Sequence, residues 1–130
     1  MSLIPKKGTV YVVDDDEAVR DMTRRALERQ RHTVLDAATG EQALEVNRMF
    51  NEPIDLLITD IRMPGMSGLD LRDALVALRP GVRVLFISGH AEEFTRKELR
   101  DRQTPFLAKP FTMDQLDQAI QRAMAARPKT

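Results

Sequence analysis

VYVVDDDEAV, from Val10 to Val19, joins an apolar run to an acidic one without a break. Four apolar residues of strand-forming type run straight into Asp14, Asp15, Asp16 and Glu17. A buried strand ends in four adjacent acids only where something positive meets them, because an unpaired buried charge is costly. What packs around this strand, and which cation its acids face, are the two matters the rest of the chain must answer.

Outward from Val10, short apolar runs alternate with segments of helical period. The runs are Val10–Val13, Thr33–Ala37, Asp55–Thr59, Val82–Ile87 and Phe106–Ala108. Three of them are apolar on consecutive positions, as strands buried on both faces should be. Between them, Ala18, Val19, Met22, Ala26 and Leu27 form one apolar helix face. Ala43, Val46 and Phe50 form a second, and Leu71, Ala74, Leu75 and Leu78 a third. Leu116, Ala119, Ile120, Ala123 and Met124 form the most regular one. Thr39 with Gln42 and Thr112 with Gln115 read as capping boxes, and Ser67 with Asp70 as a weaker one. Ala91–Arg102 is expected to be helical but has only Phe94 and Leu99 as apolar anchors, which marks it as a mobile or partner-facing helix. The pattern is (βα) five times over. Right-handed crossovers then give an open, doubly wound parallel five-stranded sheet with helices on both faces, a three-layer α/β sandwich.

Composition narrows the function. The chain has 130 residues, enough for one domain, with 20 basic and 20 acidic residues and a formal net charge of zero. Such a balance argues against direct nucleic-acid binding or contact with a membrane surface. Cysteine is absent, which excludes disulfides, thiolate catalysis and cysteine metal sites. No apolar run approaches the ~20 residues that span a bilayer, and no signal peptide opens the sequence, so a cytoplasmic location is expected. The expected division is a tail at 1–8, one domain at 9–127 and a tail at 128–130.

In sheets of this kind functional groups gather at the carboxyl ends of the strands, beside the switch in strand order. Those ends carry Asp14, Asp15 and Asp16, then Asp60, Ser88 and Lys109. Singly, each has a plain structural reading: Asp16 as the N-cap of the first helix, Asp60 as a turn former, Lys109 as a surface charge, Ser88 as nothing in particular. Together they converge on one crevice. One ammonium does not offset three carboxylates, since like charges ~4 Å apart cost ~4 kcal/mol at an effective dielectric of about 20. A hard divalent cation with oxygen ligands is the natural remainder, and Mg²⁺ suits carboxylates, a carbonyl and waters.

The blocks VYVVDDDEAVR, LLITDIRMPGMSGLDL, VLFISGH and FLAKPF, in this order, resemble the receiver domain of response regulators, the phosphoacceptor module of two-component signalling. The resemblance runs from about Val10 to Met124 and implies the flavodoxin-like strand order 2-1-3-4-5. It implies that Asp60 is the phosphoacceptor, that Asp15 and Asp60 bind Mg²⁺ directly, that Asp14 does so through water, and that Arg62 lends its backbone carbonyl. Ser88 would hydrogen-bond the phosphoryl oxygen and Lys109 would pair with it, with Phe106 and Ser88 acting as the switch. A second register makes Asp15 and Asp16 the acidic pair. The implied partner is a histidine kinase or a histidine phosphotransfer domain, and the expected state is a monomer or weak dimer. The output face would be Ala91–Arg102, the fifth strand and the last helix. Lys109–Pro110 would be a cis bond.

Three positions depart from the family pattern. Phe106 stands where many receivers carry Tyr, so it has no hydroxyl to donate. Arg31 stands where a helix-ending Gly is common, so a left-handed cap there costs ~1 kcal/mol or gives way to another turn. RDRQTPF lacks the usual Gly-containing loop before the fifth strand.

Two other functions are legible. Asp14-x-Asp16 resembles the start of a haloacid-dehalogenase-type phosphatase, with Asp14 as nucleophile and Asp16 as general acid. That reading leaves Asp60 idle, and the later acids Asp114 and Asp117 alternate with the core of an amphipathic helix. A pseudo-receiver that binds partners without phosphorylation usually lacks one of the acids or the lysine, and all are here. SGHAEEF and PFLAKPF resemble receivers fused behind kinase cores, so the chain is expected to be either a single-domain relay or the receiver of a hybrid histidine kinase.

Overall fold

In the computed structural model, residues 7–89 and 104–125 are described. Five parallel strands, β1 (Thr9–Val13), β2 (Thr33–Ala37), β3 (Leu56–Asp60), β4 (Arg83–Ser88) and β5 (Phe106–Ala108), form one sheet in the order β2-β1-β3-β4-β5. The described helices are α1 (Glu17–Arg29), α2 (Gly40–Met49), α3 (Gly68–Leu78) and α4 (Met113–Ala125). The expected helix at Ala91–Arg102 lies outside the described residues.

The consecutive apolar runs belong to β1, β3 and β4, the three inner strands of that order. Alternation along each strand sends its residues to opposite layers. Val10, Val12, Leu56, Ile58, Leu85 and Ile87 pack on one side with Ala26 and Leu27 of α1 and Leu116, Ile120 and Ala123 of α4. Tyr11, Val13 and Leu57 face the other way, toward Ala43 of α2 and Leu71 and Leu75 of α3. Fully burying a side chain of this size contributes about 1.5–3 kcal/mol, so two such layers hold the sheet from both faces. Tyr11 brings a hydroxyl into the buried part of β1. Its hydroxyl donates to the Ala43 carbonyl at 2.9 Å, and burial, with Asp36 adding to it, pushes its pKa up to about 12.

The helix starts follow the capping signals. Asp16 caps α1 by accepting from the Ala18 and Val19 amides. Thr39 accepts from the Gln42 amide at 3.0 Å, and Thr112 and Gln115 bond each other's amides reciprocally at 2.8 and 3.1 Å. Ser67 accepts from Asp70 N–H, with no return bond among those observed. Two expected face residues lie elsewhere. Leu78 is 61% exposed because it is the last position of α3, one turn beyond buried Leu75. Phe50 follows α2 as an extended cap, where the Arg79 guanidinium stacks over its ring.

Helix α1 ends in a left-handed residue, Arg31, at φ 74°. His32 N–H donates to the Leu27 carbonyl at 3.0 Å and Arg31 N–H to the Glu28 carbonyl at 2.9 Å, the paired bonds of a Schellman ending. Those bonds, with Lys7 N–H on the Arg31 carbonyl at 2.9 Å, offset the ~1 kcal/mol that a non-glycine residue costs there. The next residue, His32, is buried, and its Nδ1 has no hydrogen-bond partner among the described residues. Burial first, then the Lys7 charge, lowers its pKa against an opposing pull from Asp55. The unfolded chain therefore binds the proton more readily, so this stability is intact above pH ~6.5 and is lost as pH falls toward the folded value. We expect His32→Gln to flatten the loss of urea resistance between about pH 7 and pH 5. Parallel slopes for the two proteins would contradict this.

Candidate functional site

Strand β3 ends in the middle of the sheet, and its last residue is Asp60, 7% exposed. Its neighbour β1 ends one residue before Asp14, which is 2% exposed, while Asp15 is exposed. One carboxylate oxygen from each of Asp14, Asp15 and Asp60 lies within 4.8 Å of the others. From the end of β5, Lys109 Nζ reaches Asp60 Oδ2 at 2.9 Å and Asp14 Oδ2 at 3.3 Å. Burial would lower the Lys109 pKa, but the hydrogen bond its ammonium donates to Asp60 and the charges of Asp14 and Asp60 outweigh it and leave the pKa raised. For Asp14 burial is the largest influence and pushes the carboxyl up, against the Asp16 amide and Lys109.

Each expected residue has a definite place. Ser88, at the end of β4, is fully buried, and its carbonyl accepts from Lys109 N–H at 3.0 Å. Arg62 follows Asp60 on the loop to α3, and its N–H donates to Asp60 Oδ1 at 3.3 Å. Phe106, half-buried on β5, packs with Ile61 and Phe86. Lys109–Pro110 is cis. Asp16 is turned away: it is exposed and its carboxylate is engaged by Ala18 and Val19. The acidic pair beside Asp60 is therefore Asp14 and Asp15, and Asp16 is not posed as a general acid. Asp117, the late acid of the phosphatase reading, instead accepts from Arg29 and Gln30 at the far end of α1.

The loop after Asp60 is built for close approach. Gly65 has φ +77°, and Gly68 N–H donates to the Ile61 carbonyl at 2.8 Å. A Cβ on Gly68 would stand 1.9 Å from the Asp60 carbonyl oxygen, so only glycine lets the loop close against the end of β3.

One partner of the acids lies outside the strand-end pattern. Arg20 Nη1 donates to the Asp14 carbonyl at 2.7 Å. Its signal was an arginine in the first turns of a helix capped at Asp16, placed to fold back over the acids.

The donor set fits a hard divalent cation. All donors are oxygens, two of the three acids are buried, and Asp14 Oδ2 has no hydrogen bond despite the ammonium at 3.3 Å. Such a site can neutralise charge around Asp60 from two sides.

The response regulator receiver domain family matches residues 10–121. The sensor kinase CckA of Brucella abortus (strain 2308) is 38% identical over 110 residues, 84% of this chain and 12% of CckA. The C4-dicarboxylate transport transcriptional regulatory protein DctD of Rhizobium meliloti (strain 1021) is 33% identical over 92% of this chain and 26% of its own length. The chain thus spans a small part of these curated relatives. A CheY-like receiver domain protein from Methanospirillum hungatei JF-1 superposes with a TM-score of 0.78 at 28% identity, covering 93% of this chain and 94% of that one. With fold, strand order and acidic crevice in agreement, the chain belongs to the response regulator receiver domain family, the signalling module of two-component systems.

Proposed function

We propose that this domain is a phosphoacceptor in a two-component phosphorelay, taking a phosphoryl group onto Asp60 from the phosphohistidine of a histidine kinase or a histidine phosphotransfer domain. The observation that carries this reading is Asp60 at the end of the middle strand, bonded by Lys109 at 2.9 Å and grouped with Asp14 and Asp15. Similarity to a sensor kinase supports a kinase-type donor and the receiver of a hybrid kinase as the parent architecture.

Asp15, Asp60 and the Arg62 carbonyl would hold Mg²⁺, with Asp14 acting through water. Bound Mg²⁺ supplies neutralisation of the phosphoryl oxygens. An Asp60 oxygen donates its electron pair to phosphorus as the P–N bond breaks, and that bond pair returns to the imidazole nitrogen of the donor. Lys109 follows the phosphoryl charge, and buried Ser88 offers its hydroxyl to a phosphoryl oxygen. No proton need leave Asp60, since a carboxylate is the attacking form. Incubation with acetyl phosphate and Mg²⁺ should yield an acid-stable, base-labile acyl phosphate. A chain that takes up no phosphoryl group under these conditions would refute the reading.

The output would travel from Ser88 to β5, because Ser88 pairs with Ala108 and Phe86 with Phe106. Couplings of this sort are typically ~1–3 kcal/mol, a population shift. With beryllofluoride and Mg²⁺ on Asp60, amide exchange should change at Phe106–Ala108, at α4 and within the Ala91–Arg102 segment. Ser88→Ala should bind the same mimic with a smaller change on that face. Changes confined to the loops around Asp60 would place the output surface elsewhere.

A further inference from the structure

Four polar groups of Asp14 stand at the crevice, and three are already engaged. Its N–H donates to the Ala37 carbonyl at 3.2 Å, its carbonyl accepts Arg20 Nη1 at 2.7 Å, and its Oδ1 accepts the Asp16 N–H at 2.9 Å. Oδ2 is left without a hydrogen bond, 3.3 Å from Lys109 Nζ. Arg20 is itself anchored, because its main-chain N–H donates to the Asp16 carbonyl at 2.9 Å while the Asp16 side chain caps α1. The segment from Asp14 to Arg20 is therefore a closed turn. Asp15 sits in it with both chain neighbours pinned, and the bond from Arg20 spans six positions, beyond the reach of any standard cap or turn.

We propose that Arg20 is a positioning residue of the acidic site, holding the Asp14 carbonyl so that Asp14 Oδ2 and the Asp15 carboxylate face a bound cation in one fixed arrangement. This rests on the reading of Asp14 and Asp15 as residues of a Mg²⁺ site. The sign of the effect separates this role from two plainer ones. A guanidinium that acted only through its charge would repel a cation, and its loss would tighten Mg²⁺ binding. If it only anchored the start of α1, its loss would lower stability and leave the Mg²⁺ affinity of the folded chain alone. A positioning role predicts weaker binding. Partners that orient ligating groups from behind typically contribute about 10–100-fold to metal affinity.

The test is calorimetric titration with Mg²⁺ of the wild type, Arg20→Gln, Arg20→Ala, Arg20→Lys and Asp15→Asn, each checked for folding by urea denaturation without Mg²⁺. Arg20→Gln and Arg20→Ala should bind Mg²⁺ about 10-fold more weakly or worse. Arg20→Lys, which keeps a donor, should recover part of the loss. Amide exchange at Asp15 and Asp16 should quicken in the two variants that lack the bond. Unchanged or tighter Mg²⁺ binding in whichever of them folds overturns the proposal. A flat titration for the wild type, matching that of Asp15→Asn, removes the Mg²⁺ site and the proposal with it.

Discussion

Asp60→Ala should take up no detectable phosphoryl group from acetyl phosphate and Mg²⁺ while remaining folded. Asp60 supplies the nucleophile, and the nearest other carboxylates are poorly placed to replace it. Asp14 is buried, with Oδ1 committed to the Asp16 amide, and Asp15 lies outside the contact with Lys109 that the other two share. Folding should survive because the substitution removes a charge that repels Asp14 as well as one that attracts Lys109. Gel mobility in a phosphate-binding matrix, read beside a urea denaturation curve, checks both halves. Uptake that persists at Asp14 in this variant would favour the phosphatase-like reading.

The second large effect concerns Asp15. It is the exposed member of the acidic group, within 4.8 Å of the others through its carboxylate, and so the one open to an entering hydrated cation. Asp15→Asn keeps the shape and removes the charge. Losing a direct carboxylate should cost more than losing an outer partner, which is typically worth about 10–100-fold, so Mg²⁺ binding should weaken ~100-fold or more. Phosphorylation by acetyl phosphate should slow in parallel, since little covalent chemistry remains for the protein beyond placement and charge. Calorimetry and uptake kinetics on the same preparation test the link. Unchanged Mg²⁺ affinity in Asp15→Asn would sink the assignment of this residue to the metal.

How legible the fold was depended on how local its causes are. The unbroken apolar positions of Val10–Val13, Leu56–Ile58 and Val84–Ile87 report burial on both faces, and these are the inner strands. Asp16, Thr39, Ser67 and Thr112 cap their helices through bonds only two or three residues long, so the sequence displays them directly. Arg31 shows the opposite case. Its left-handed turn is held by bonds to Leu27 and Glu28 and by Lys7 just ahead of β1, and a residue's own preference does not disclose such neighbours. Leu78 fits a helical stripe but falls past the last buried turn.

The site divides the same way. Asp14, Asp60, Ser88 and Lys109 stand at or beside strand ends, so parallel order alone gathers them. The choice between Asp14 and Asp16 as partner of Asp15 needed geometry, because both are acids beside the same strand. It turned on which carboxylate the helix cap consumes. Arg20 was hidden because its guanidinium answers a backbone carbonyl, a group every residue carries. The cations that meet the acids after Val13 are thus Lys109, on the carboxylates, and Arg20, on the chain that presents them.

The most direct test of the account is to locate the phosphoryl group in the wild-type chain. The protein would be phosphorylated with acetyl phosphate and Mg²⁺, its acyl phosphate trapped by borohydride reduction, and the modified residue identified by peptide mass spectrometry. Modification at Asp60 alone is expected; modification at Asp14 or Asp15, with Asp60 intact, would contradict the assignment of Asp60 as phosphoacceptor.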